Sequence, residues 1–282
     1  MQVFSNREGQ LHLFWRLLLF PVCLAALIFP LLFLRSSLLQ FFFGSFLLVG
    51  LLAGWATWID RSSIKRYGLS FDWVIARDLF AGGLVGVMAV GLIWVVSDRL
   101  GFFGTISVNR AAFDTLFWLF LLKTLLVAFW EETVFRGFLL VNLLESLSDV
   151  LGRQGAMAGA ALLSSLAFGA VHAGTSHFSI FAFMLLTLNG IVWCIPILMT
   201  RRLGLSIGMH ALWNFAQTKM FGFPMSGNPP EGSLIVADLK GPEAWSGGAY
   251  GPEAGLAGIV GLITMLVLAM AFCRATSGRQ RS

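Results

Sequence analysis

The residues best placed to do chemistry lie in the stretch Trp130-Glu131-Glu132-Thr133-Val134-Phe135-Arg136-Gly137, deep in an otherwise apolar run. Two adjacent carboxylates and an arginine would be costly if turned towards lipid, so they must face protein and have partners there. On a helix Glu132 and Arg136 stand at i, i+4 with the acid N-terminal, the favourable order for an ion pair. Glu131 lies about 100° round the helix from Glu132 and about 140° from Arg136. It points elsewhere, and a buried carboxylate without a full partner is disposed to take a proton, which suits a general base.

Two histidine pairs extend the set. Phe168 and His172 are at i, i+4 near the end of one apolar run, and His210 and Asn214 have the same spacing on another. A histidine and an asparagine on one helical face aim hydrogen-bond donors at a common point, as an oxyanion requires. The remaining histidines, His12 and His177, precede a span or sit in a short loop and are expected at the interface.

The composition says what must position these groups. Of 282 residues 57% are hydrophobic, and only 12% are Asp, Glu, Lys or Arg, about half the share of a soluble domain. A soluble enzyme, a disordered chain and a collagen-like fibre are excluded. A nucleic-acid partner is not expected either, because the basic residues are scattered in ones to threes between apolar runs. The sequence predicts an all-α, polytopic transmembrane bundle of about eight spans, with an active-site cavity between the central helices. The spans are placed at 14–34, 38–59, 74–97, 113–140, 156–173, 178–199, 203–220 and 255–273. Three regions follow: N-terminal helices with an interfacial segment (1–110), a core (111–220), and a Gly/Pro-rich external loop with the last helix (221–282).

With the N-terminus inside, Arg7, Arg61, Lys65, Arg66, Arg153, Arg201, Arg202, Arg274, Arg279 and Arg281 fall on the cytoplasmic side. Arg35, Arg99, Arg110 and Lys240 fall outside, with Lys219 at a helix end. That asymmetry predicts cytoplasmic termini. Segment 61–72 reads as a basic interfacial stretch with Tyr67, Leu69 and Phe71 interspersed, and 221–254 as an external loop of several turns. Arg16, Arg77 and Asp78 are expected near span ends, where snorkelling or local pairing satisfies them, and Asp114 and Lys123 in structural roles. Cys23, Cys194 and Cys273 read as small buried hydrophobes with no disulfide or thiolate metal site.

Glu131-Glu132-x-x-x-Arg136, Phe168-x-x-x-His172 and His210-x-x-x-Asn214 resemble, in order, the three motifs of the CAAX-protease and bacteriocin-processing (CPBP) family of glutamic intramembrane proteases. The resemblance covers roughly 110–220, and Gly-Gly-Ala-Tyr-Gly-Pro-Glu at 247–253 is similar to many bacterial members. It implies an integral protein, expected in a bacterial plasma membrane, that cleaves a membrane-associated protein or peptide. Glu131 and His172 would activate water, His210 and Asn214 would stabilise the oxyanion, and Glu132, Arg136 and Phe168 would support them. No cofactor is implied.

Two other readings remain open. Glu131, His172 and His210 could ligate zinc with Glu132 as base, although no H-E-x-x-H occurs. Intramembrane Glu, Arg and His could instead serve a transporter or a non-catalytic immunity protein. One depth problem stands: the expected boundaries put Glu131, His172 and His210 at unequal depths, so either the fourth helix runs beyond the bilayer or the fifth begins outside it near Gly152.

Overall fold

The computed structural model describes residues 11–277; Arg7, Arg279 and Arg281 lie outside them. Among the described residues nine α-helices and one two-stranded sheet follow in order: α1 (Leu13–Ile28), α2 (Ser37–Gly54), α3 (Trp73–Arg99), β1 (Phe103–Val108), α4 (Thr115–Glu132), α5 (Leu140–Val171), α6 (Ile180–Thr200), α7 (Gly204–Phe215), β2 (Ile235–Leu239), α8 (Glu243–Ser246) and α9 (Leu256–Ser277). The bundle is all-α apart from the antiparallel β1–β2 pair, which ties the 100–113 connection to the 221–255 loop. That pairing is absent from the sequence reading, which has only turns there.

Each expected span is helical, but six stretches are long and apolar enough to cross a membrane among the described residues. The expected fourth and fifth spans lie within one such stretch, Thr115–Gly174, broken where Gly152 takes φ 64° and ψ 173°. A left-handed φ suits glycine, which has no Cβ to clash. The chain therefore runs helically from Thr115 to Leu151, about 55 Å at 1.5 Å per residue, and turns back at Gly152. That length exceeds the roughly 30 Å of a bilayer's hydrocarbon, and the helix that carries His172 starts back from Gly152. The expected seventh span is short, a helix of 12 residues followed by a π-helical turn of 5.

Capping sets several helix starts. Asp72, Asp114 and Ser179 accept from the backbone N–H groups of Ile75, Phe117 and Ala182, satisfying donors that helix ends leave free. A Cβ at Gly82 or Gly86 would fall on the carbonyl oxygens of Leu205 or Met209, and one at Gly204 or Gly208 on those of Ile75 or Leu79. Small residues thus let the backbones of α3 and α7 approach closely, the packing that lipid-embedded helices favour, and this fixes the helix that carries His210. Large apolar side chains on the outer faces, Phe14, Phe46, Phe80, Leu116, Phe181 and Val267 among them, are exposed, as an integral multi-pass protein requires.

Several charged residues are more deeply built in than snorkelling implies. Arg16 is buried, donates to Asn142 Oδ1 at 3.0 Å and lies 3.5 Å from Asp60. Asp78 is buried between Arg77 and Arg202, at 2.6 and 2.5 Å, and Lys219 is buried with its ammonium bonded to the Glu231 carbonyl. Of the apolar and aromatic residues read as interfacial in segment 61–72, Tyr67 and Leu69 are core residues and Phe71 is exposed. Cys194 and Cys273 are buried, whereas Cys23 is on the outer face.

Candidate active site

The acidic motif straddles a change of helix type. α4 ends at Glu132 and continues without a break as a π-helix, Thr133–Leu139, before α5. π-turns widen the helix and occur often at functional sites. Here the turn is supported from α5, where Ser164 Oγ donates to the Phe135 carbonyl at 2.7 Å.

Inside this turn Arg136 has no exposed surface, and its Nη1 donates to Glu132 Oε1 at 3.1 Å. Aromatic rings supply the rest of its cage: Phe168 at 4.3 Å and Trp193 at 5.4 Å from the guanidinium carbon. Cation–π contact of this kind strengthens when desolvated. Gly190 on α6 leaves room for the guanidinium, since a Cβ there would sit 3.0 Å from Arg136 Nη2.

His210 is the junction of the cluster. Its Nδ1 lies 2.9 Å from Glu132 Oε1 and its Nε2 3.6 Å from Glu131 Oε2, and the ring stacks on Trp193 with centroids 4.1 Å apart. Glu132 Oε1 already accepts from Arg136, so it acts as an acceptor towards Nδ1, which carries the hydrogen. The Trp193 backbone is held in turn, its carbonyl accepting from Ser206 Oγ at 2.8 Å. Glu132 thus orients both Arg136 and His210, whereas Glu131 keeps a side chain 23% exposed. Asn214, one turn beyond His210, is half-buried, and among the described residues its carboxamide makes no hydrogen bond.

His172 closes α5. Its Nδ1 is 2.8 Å from the Phe168 carbonyl, and a carbonyl only accepts, so Nδ1 carries the hydrogen and Nε2 holds the lone pair. Phe168 links the pieces: its ring centroid is 4.7 Å from that of His172 and 6.0 Å from that of His210. All three motifs therefore meet between α4, α5 and α7. Among the described residues no hydrogen bond or ion pair joins Glu131 directly to His172; the contacts between them run through His210 and Phe168.

Sequence reasoning did not find Trp193, which sits in an apolar run with nothing to distinguish it from a lipid-facing ring. It also treated 131–136 as ordinary α-helix, and no residue in that stretch signals the π-turn. For the zinc reading, no group of three or more His, Cys, Asp or Glu is placed to hold a metal among the described residues.

Residues 113–216 match the family described as type II CAAX prenyl endopeptidase Rce1-like. That span contains all three motifs, and the match supports the CAAX/CPBP protease family and, in general terms, a membrane protease. No curated protein and no solved structure matches the chain.

Proposed function

We propose that this chain is a glutamic intramembrane endopeptidase that hydrolyses a peptide bond of a membrane-associated substrate with water activated by Glu131 and His172. The observation that carries the reading is convergence: His210 touches both carboxylates of the first motif, and Phe168 joins it to His172. In this scheme Glu131 holds the water as an acceptor, and His172 Nε2 takes one of its protons while the oxygen adds to the scissile carbonyl carbon. The carbonyl becomes an oxyanion, which His210 and Asn214 stabilise by donation. The C–N bond then breaks, and the proton held by His172 passes to the leaving nitrogen.

The oxyanion role places a condition on His210. With Nδ1 given to Glu132, donation to an oxyanion needs a proton on Nε2 as well, so His210 acts as an imidazolium. Its charge and that of Arg136 are balanced by Glu131 and Glu132. A neutral set of this kind avoids the cost of an uncompensated buried charge. The lipid bilayer supplies the setting, a bacterial plasma membrane with cytoplasmic termini is the expected one, and the scheme uses no metal.

The test is a comparison of membrane proteomes from cells carrying the wild type or Glu131→Ala. The expected result is at least one protein shortened at a terminus in the first and full-length in the second. Identical proteomes, with Glu131→Ala retaining full biological function, would overturn the protease reading in favour of a binding role.

A further inference from the structure

One buried carboxylate stands apart from the three motifs yet close to their chemistry. Glu253, in the loop between β2 and α9, is only 3% exposed. Its Oε2 accepts from both the backbone N–H and the hydroxyl of Ser226, at 2.9 and 2.8 Å.

The local chain is shaped to put it there. Gly247, Gly248 and Gly251 all take positive φ, which lets Gly-Gly-Ala-Tyr-Gly-Pro-Glu fold back on itself. Tyr250 and Thr175 then tie this segment to the histidine. Thr175 Oγ1 donates to the His172 carbonyl at 2.8 Å and lies 3.2 Å from Tyr250 OH, which must therefore be the donor of that second bond. The loop is also packed against Ser176, whose carbonyl lies where a Cβ on Gly227 would go. Through Ser226 and Tyr250, the segment that carries Glu253 is packed against the turn that ends α5.

We propose that Glu253 is a positioning residue for His172: its carboxylate steadies the imidazole and balances the charge that His172 gains when it takes a proton from water. The idea rests on the protease reading above. Burial raises the Glu253 carboxyl above its ordinary value, while the Ser226 bonds and the charge of His172 pull it back down. The ionised form is therefore favoured when His172 is protonated, which is when the step needs it.

The test uses the purified full chain and a fluorogenic peptide spanning the cleavage site found by the proteome comparison. Glu253→Gln can still accept from Ser226, so the loop stays anchored while the charge is lost. The expected result is a kcat lower by about tenfold to a hundredfold with KM unchanged, partial recovery in Glu253→Asp, and no further loss when Glu253→Gln is added to His172→Ala. A merely structural role predicts wild-type kcat for Glu253→Gln, and that outcome overturns the inference, as does a full additional loss in the His172→Ala background. If Glu131→Ala abolishes cleavage while Glu253→Gln cleaves normally, only this inference falls. If Glu131→Ala cleaves normally, the protease reading falls and takes the inference with it. Unfolding curves in detergent check that each variant is folded.

Discussion

Two of the charge clusters among the described residues are built to opposite ends. One joins Arg16, Asp60, Arg66, Tyr67, Asn142 and Glu145 where the start of α1, the connection after α2 and the last third of the 115–151 helical stretch meet. The other holds Glu131, Glu132, Arg136 and His210. In the first, residues far apart in the chain are cross-tied: Arg16 reaches Asn142 and Asp60, Arg66 reaches Asp60 and Glu145, and the Tyr67 hydroxyl donates to Asp60. Burial and then the Asp60 carboxylate push the Tyr67 hydroxyl well above its usual range, so it stays a donor. Even Asp60 Oδ1, which lacks a hydrogen bond, lies between two guanidinium groups.

The second cluster has three of its four members within six residues of chain, joined by His210 from α7, and is less saturated. Glu132 Oε2, Thr133 Oγ1 and Arg136 Nε and Nη2 are buried without a hydrogen-bond partner, and aromatic faces surround the guanidinium instead of acceptors. The contrast teaches how to tell a lock from a site among buried charges. The first cluster has unpartnered atoms too, Asp60 Oδ1 and Arg66 Nε, but its ion pairs cross-tie several elements and hold them together; in the second, Glu131 is partly open beside a histidine, which leaves room for chemistry.

The largest effect is expected in the second cluster. His210→Ala removes the group that touches both carboxylates, and cleavage by the purified protein should fall about a thousandfold, measured as kcat on the peptide named above. An intermediate effect, and one of a different kind, is expected from Asp60→Asn. It leaves two arginines without their shared counter-charge, so stability should fall by about 3 kcal/mol, read from unfolding in detergent, while kcat per folded molecule is unchanged. A large kcat loss in Asp60→Asn would erase the distinction between the clusters. The smallest effect is expected from exhaustive chelation: activity should persist with no metal found by elemental analysis, and loss restored by zinc would return the zinc scheme.

Much of this was legible in the sequence, and the reasons differ from residue to residue. The Glu132–Arg136 spacing and the pairs Phe168/His172 and His210/Asn214 are local, so helical periodicity alone puts each pair on one face. That Glu132 also binds His210 was not legible, because it depends on a crossing of α4 with α7 over 78 residues of chain. The crossing of α3 with α7 depends in turn on Gly82, Gly86, Gly204 and Gly208, whose spacing is visible in the sequence but was not read as a packing signal. Arg16 was misread as a snorkelling residue because its partners, Asp60 and Asn142, lie in other helices. The turn at Gly152 was anticipated from depth arithmetic, whereas the β1–β2 pair joins two loops that carry no strong strand pattern.

Glu131 is the carboxylate on which the proposed chemistry depends, with Glu132 and Arg136 holding the helix face beside it. The most direct measurement is kcat for Glu131→Gln on the same peptide, with its unfolding curve recorded beside that of the wild type. Glutamine keeps the shape of the side chain and removes its charge. The account predicts a loss of about a thousandfold with unfolding close to wild type; wild-type kcat, or a loss explained entirely by unfolding, would contradict it.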